Sequence, residues 1–240
     1  MFIMLNLYQK IFSQIKKDPH STLAPDDLYG VLYSLMREDG AKYLPLCRDV
    51  GNFCDSLLRR GILTDAETEK YYYLHKNTTK LAAPMDFDSY MMYLEWNRDP
   101  KKRFYEPRRE ILRPIVQDLQ DLKDRRIDFL GVSMPPRTGK STTGIWFMSW
   151  IMGNYPDDAS VMTGHSSKLT DGFYQELLSL IGDTNEYLWY DVFQGVNIAN
   201  KSAQDTTIDL VKAKRFPTVT CRSVGGTLTG AVEVGPNGIL

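Results

Sequence analysis

The chain is poor in the residues that build cross-links and metal centres. It carries three cysteines and three histidines in 240 residues. Cys47, Cys54 and Cys221 form no Cys-x-x-Cys pair and no zinc-type spacing. That argues against a disulfide framework and a structural zinc site, and leaves reduced, cytosolic thiols as the default. Cys47 and Cys54 lie seven residues apart and are expected to pack on one helix face. His20 and His75 have no partner at ligand spacing and read as surface or packed residues. No hydrophobic run reaches membrane-spanning length. The apolar start, Met1-Phe-Ile-Met-Leu5, is too short for a signal-peptide core and lacks a basic segment before it. No membrane association is therefore expected. An excess of charge of either sign is also missing: 29 Lys and Arg stand against 30 Asp and Glu, a formal net charge of −1. Attraction for a polyanion would have to come from a local patch.

What is present is enough for one large domain or two smaller ones: 42% of residues are hydrophobic and 25% charged. A change of character near Arg98 divides the chain into a helical N-terminal region, residues 1–97, and a second domain, residues 98–240. In the first, Phe2, Leu5, Ile11, Phe12 and Ile15 predict an amphipathic helix ending before Pro19. Pro25 suits a first helical position, with Asp26 and Asp27 favourable to the helix dipole. Leu28, Val31, Leu32, Leu35 and Met36 then recur at helical spacing, and Gly40 reads as lying just past the end. A third helix is expected from Leu46 to Arg60, stopped by Gly61. Thr64 and Glu67 form the pattern of a capping box that opens a fourth. Its Tyr71-Tyr72-Tyr73 run could stack bases, but packing within a helical domain is the plainer reading. A fifth helix is expected from Asp86 to Asn97.

The second domain opens on a basic stretch. Between Arg98 and Arg126 there are ten Lys and Arg against six acids, a net charge of +4. A helix starting at Pro107 carries Ile111, Leu112, Ile115, Val116, Leu119 and Leu122, with Pro114 removing one backbone hydrogen bond. The cations read either as the solvated face of that helix or as phosphate contacts to nucleotide or DNA.

The organising stretch follows. Phe129-Leu-Gly-Val-Ser-Met134 has the composition of a buried strand; Pro135-Pro136-Arg137-Thr138 is a turn; Gly139-Lys140-Ser141 opens an apolar helix expected to reach about Gly153. Strand, loop, Gly-Lys-Ser and helix form the context of a phosphate-binding loop. Helix N–H groups and the helix dipole favour an anion there. Lys140 can reach the β- and γ-phosphates of ATP, and the Ser141 hydroxyl can bind Mg²⁺. The complete motif has glycine where this chain has Met134. The plain alternative is an ordinary turn with an exposed lysine at a helix start. A cation in a first helical turn opposes the dipole, however, and a bound anion explains Lys140 better.

Beyond it, Ala159 to Thr163 predicts a strand, His165 falls in the loop at its end, and Leu169 to Ile181 predicts a helix. His165 is either close to a phosphate or an ordinary loop residue. This βαβα order implies an α/β fold, a P-loop NTPase-type three-layer parallel sheet preceded by an α-helical N-terminal region, with ligand at the strand C-termini. Thr206–Val211 and Thr218–Val224 read as a hairpin bridged by the basic Lys212-Ala-Lys-Arg215. Gly225 to Gly230 reads as a flexible loop, and Gly238-Ile239-Leu240 as the start of a strand.

Met134-Pro-Pro-Arg-Thr-Gly-Lys-Ser-Thr142 closely resembles the variant Walker A motif of the large terminase subunits of tailed bacteriophages, in which the first glycine is often missing. Phe104-Tyr-Glu-Pro-Arg-Arg109 resembles the segment in which that family places adenine contacts. Ala159 to Ser167 resembles its second strand and following loop, and Gly226-Thr-Leu-Thr-Gly230 its glycine loop before the Walker B strand. The resemblance covers roughly residues 90–240. It implies an ATPase that drives double-stranded DNA into a procapsid, with ATP and Mg²⁺ as cofactors. The implied partners are a portal protein, a small terminase subunit and further copies in a ring on the procapsid, in the cytoplasm of a bacterial host. Lys140, Arg137 and Ser141 would be the catalytic residues, with Arg137 stabilising the γ-phosphate and Ser141 on the metal. Pro136, Thr138, Gly139 and Thr142 would complete the phosphate site, and Tyr105 and Arg108 would stack on and contact adenine. The paired acids that end the family's Walker B strand would lie beyond Leu240, so the sequence reads as an ATPase portion with little hydrolysis of its own. A helicase-like translocase shares this core. A non-catalytic module whose N-terminal helices bind a partner, and less readily a small-molecule kinase, are the other classes.

Overall fold

Two units divide the chain, Met1–Trp96 and Asn97–Leu240. The computed structural model describes residues 2–21 and 25–225. The glycine loop at residues 226–230 and the strand start at residues 238–240, both inferred from sequence, lie outside the described residues.

The first unit is built from five helices: α1 (Phe2–Lys17), α2 (Pro25–Glu38), α3 (Gly40–Arg60), α4 (Asp65–Ala82) and α5 (Phe87–Leu94). In α2 the predicted stripe is the buried one: Leu28, Leu32 and Leu35 are sealed from solvent and Val31 and Met36 nearly so. They join Ile11, Phe12 and Ile15 of α1 and Val50, Cys54 and Leu57 of α3 in one core. Cys47 and Cys54 are both buried there, and loss of hydration pushes the Cys47 thiol up to about 12 and Cys54 higher still, which keeps both protonated and unreactive.

Helix α3 begins six residues before the expected Leu46. Asp39 caps it, its carboxylate accepting from the Lys42 N–H at 3.1 Å, and Pro45 is carried inside the helix. Gly40 does lie just past the end of α2, as the sequence implies, and is also the first residue of α3. A Cβ there would come within 2.7 Å of the Met85 sulfur, so that flexible side chain would have to shift. The capping box at Thr64 forms as the sequence implies: Glu67 accepts from the Thr64 N–H at 2.8 Å and Thr64 Oγ1 from the Glu67 N–H at 3.4 Å. Glu67 also meets His20 Nδ1 at 2.9 Å, a pairing between residues 47 positions apart that no local spacing announces. Of the three consecutive tyrosines, Tyr71 is buried and bonds the Pro19 carbonyl, whereas Tyr72 accepts from Trp96 Nε1 at 2.7 Å.

The second unit contains α6 (Arg109–Lys123), α7 (Lys140–Asn154), β1 (Ser160–Gly164), α8 (Ser167–Gly182), α9 (Trp189–Val192), β2 (Ile198–Ser202), β3 (Thr207–Leu210) and β4 (Val219–Ser223). Short 3-10 turns at Pro100–Lys102 and Glu106–Arg108 precede α6. Helix α7 is apolar on every side, as a helix at the centre of a core must be, and its residues Ile145 to Gly153 are all buried. Trp189 closes over it, donating from Nε1 to the Ser149 carbonyl at 3.0 Å.

The sheet corrects the expected fold class. Its four strands run in the order β1-β4-β3-β2. Among the described residues only β1 and β4 pair in parallel, from Ser160 opposite Val219 to Gly164 opposite Ser223. The β3–β4 and β2–β3 pairs are antiparallel. This is a small mixed sheet and not a three-layer parallel sheet of the P-loop NTPase type. The decisive difference is Phe129–Met134, which belongs to no strand or helix and lies outside the sheet, with Phe129 86% exposed. An apolar, β-branched composition gives a segment the capacity to be a strand, but a strand exists only where a partner supplies hydrogen bonds along its edge. Among the described residues no strand pairs with this run. The predicted 206–224 hairpin does form, as β3 and β4. The strand β2 was not expected; it is fixed by the tight turn at 203–206, where Asp205 donates its N–H to Ser202 Oγ at 3.1 Å.

Candidate phosphate-binding site

The loop before α7 is shaped by two unusual backbone positions. Arg137 has φ 66° and Gly139 φ 101°. A positive φ immediately after Pro136 is what a type II turn requires, and the Thr138 hydroxyl ties the turn shut by donating to the Pro135 carbonyl at 2.8 Å. For arginine this conformation costs about 1–2 kcal/mol, so the neighbouring structure must hold it. Gly139 then occupies the position before the first helical residue, where any side chain would be strained. A Cβ there would also lie 2.6 Å from the Phe104 ring. Phe104 itself stands edge-on against the buried Trp146 of α7, with centroids 5.2 Å apart.

Helix α7 thus starts with no side chain capping it. The Gly139 carbonyl is taken twice by Thr143, from N–H at 2.9 Å and from Oγ1 at 3.0 Å. The first N–H groups of a helix have no acceptor within it. Here they open onto a cavity of about 570 Å³. Its floor is Pro135, Pro136, Arg137, Gly139, Lys140, Ser141 and Thr142, and its walls are Met134, Phe104 and Arg108. Arg108 is held in place by donation from one guanidinium nitrogen to the Phe104 carbonyl at 3.0 Å, its guanidinium 5.4 Å from that ring. Three cations, a helix N-terminus and two hydroxyls therefore converge on one space, with no acidic side chain among the described residues lining it. Such a donor set has the chemistry to accept an anion with several oxygens.

Most of the residues singled out from sequence meet here: Pro136, Arg137, Gly139, Lys140, Ser141, Thr142 and Arg108 line the cavity, and Thr138 braces its turn. Tyr105 does not. It is fully buried and cannot stack on a base; the ring that faces the cavity is its neighbour Phe104. Two adjacent aromatics entering a 3-10 turn carry no periodicity from which the inward one could be chosen. The signal that separates them is Gly139, whose missing side chain makes room for a ring. His165 is exposed just past β1 and does not line the cavity.

For Mg²⁺, Ser141 offers one hydroxyl oxygen. Among the described residues no group of three or more His, Cys, Asp or Glu side chains could hold a metal. A magnesium ion at this site would take most of its ligands from phosphate oxygens and water, which is an ordinary arrangement for that ion. Among the described residues no helix is long and apolar enough to cross a membrane. Comparison with protein-family models, curated proteins and solved structures finds no match to this chain.

Proposed function

We propose that residues 135–142 and the start of α7 bind the phosphates of a nucleoside triphosphate, ATP with Mg²⁺, as the ATP-binding portion of a motor that moves double-stranded DNA. The observation that carries this is the meeting of Arg137, Lys140 and the uncapped first turn of α7 at one cavity. Lys140 would neutralise the terminal phosphates, Arg137 would stabilise charge on the γ-phosphate, and Ser141 would place its hydroxyl on the metal. Phe104 and Arg108, which line the same cavity, would contact the base or ribose. The resemblance of residues 134–142 to the terminase Walker A motif supports the packaging role. With it come the proposed portal, small-subunit and ring partners and a setting in the cytoplasm of a bacterial host.

One feature favours a second reading for this chain. Hydrolysis needs a carboxylate to organise metal and water, and none lines the cavity among the described residues. The described residues therefore support binding, with turnover dependent on an acid supplied from elsewhere. Titration with a fluorescent ATP analogue tests the proposal. A charged contact of this kind is worth about 1.5–3 kcal/mol, so Lys140→Ala should weaken binding by roughly 10- to 150-fold. Unchanged affinity in Lys140→Ala would rule out the phosphate loop.

A further inference from the structure

A second cavity, of about 550 Å³, adjoins the first. It is lined by Lys101, Lys102, Arg103, Phe104, Pro107 and Arg108. Phe104 and Arg108 line both cavities, so the two lie on either side of a shared wall. Four of the six lining residues are cationic, and among the described residues no acidic side chain lines the space. Like charges gathered around one cavity repel, and a fold keeps them there only at a cost that an anion removes.

These cations are set in place by other contacts. Asp99 caps the turn that carries Lys101 and Lys102, accepting from the Lys101 N–H at 3.0 Å, while its carbonyl accepts from the Lys102 N–H at 2.8 Å. Arg103 is oriented by Glu106 at 2.6 Å and by donation to the Arg98 carbonyl at 3.1 Å. Arg98 is itself paired with Glu186 at 2.9 Å. Arg103 is thus partly neutralised and fixed, and Arg108 is fixed by the Phe104 carbonyl. Lys101 and Lys102 are exposed, on a backbone turn held rigid from behind.

We propose that this second cavity binds a phosphate group, with Lys101 and Lys102 as its principal ligands and Arg108 shared with the nucleotide cavity. The phosphate comes either as a free polyphosphate or as a phosphodiester of a nucleic-acid backbone. The site goes beyond the nucleotide reading and shares only its wall with it.

Calorimetric titration of the full chain with inorganic pyrophosphate tests the proposal. Two molecules should bind the wild type. Lys101→Glu/Lys102→Glu should leave one, and Lys140→Ala should remove the other. Arg108→Ala should weaken both, and Lys101→Arg/Lys102→Arg should retain both. Anisotropy with a labelled single-stranded oligonucleotide separates the sources. If a backbone is the natural ligand, Lys101→Glu/Lys102→Glu lowers affinity at least tenfold and reduces the salt slope by about 1.4. If free polyphosphate is the ligand, that variant loses one of the two pyrophosphates while oligonucleotide binding stays. Stoichiometry and affinity unchanged in Lys101→Glu/Lys102→Glu, whether the wild type binds one pyrophosphate or two, overturns the site. Loss of all pyrophosphate in that variant overturns its separateness. The Lys140→Ala result bears on the nucleotide site alone, so the two proposals fail independently.

Discussion

Replacing Gly139 by alanine would probe how the phosphate loop is held. Two costs arise, and they can be separated. The backbone at φ 101° is one that an L-residue adopts only with strain, about 1–2 kcal/mol. The new Cβ would also come within 2.6 Å of the Phe104 ring, so the ring must leave its place. Phe104 is anchored edge-on against Trp146 at 5.2 Å, an arrangement worth about 0.5–1.5 kcal/mol beyond its buried area. The expected total for Gly139→Ala is about 2–3 kcal/mol. In a Phe104→Ala background the clash is absent and only the strain remains, about 1–2 kcal/mol. A double-mutant cycle by urea denaturation should therefore show a coupling of about 1 kcal/mol between positions 139 and 104. Equal costs in both backgrounds would refute the claim that Phe104 is why residue 139 is glycine. A cost below about 0.5 kcal/mol in both would refute the strain as well.

Two further outcomes test the first unit. Hydrogen bonds from Thr64, and then from His20, hold Glu67 down at about 2, below its ordinary carboxylate range. A carboxylate lowered in the folded state contributes stability that is complete above the unfolded value and is lost as pH falls through the folded one. Thermal unfolding followed between pH 5 and pH 2 should accordingly decline less steeply in Glu67→Gln than in the wild type; parallel curves would count against the capping box as the cause. Arg48 pairs with Asp86, whose side chain is only 6% exposed and which caps α5 through the Ser89 N–H at 2.9 Å. Arg48→Ala should cost about 2–3 kcal/mol by leaving a buried carboxylate short of a partner, and adding Asp86→Asn should recover part of it; chemical denaturation of both variants measures this.

The local elements were legible where a single stretch of chain settles them. Leu28 to Met36 could be assigned to a buried face because helical spacing is itself the cause of the face. The Thr64 cap was legible because donor and acceptor are three residues apart. Signals that act at a distance misled. Helix α3 starts six residues ahead of Leu46 because Asp39 caps it, and it carries Pro45 inside. Phe129–Met134 has strand composition, yet pairing depends on a partner that composition does not supply. Strand β2, with Ala199, Asn200 and Lys201 exposed, has almost no hydrophobic signature and is defined by its turn and by β3. At the site, Gly139, Lys140 and Ser141 were readable because loop and helix start are contiguous. The choice between Phe104 and Tyr105, and the gathering of Lys101 and Lys102 beside Arg108, depend on how a 3-10 turn folds back across the loop.

The burial of α7 has a consequence for how this site can change. Its first turn lines the cavity proposed to take phosphate, and the rest of the helix is the centre of the unit's core. A loop mounted on a peripheral helix could shift with its ligand at little cost. Here a movement of the helix start would drag Trp146, Trp150 and the residues packed on them. The helix start is thus a fixed reference, and adaptation to a ligand falls to the turn at 135–138 and to the wall at Phe104 and Arg108. Substitution is constrained in the same way: the helix behind the floor leaves little room for variation, so affinity can be retuned from the front of the cavity alone.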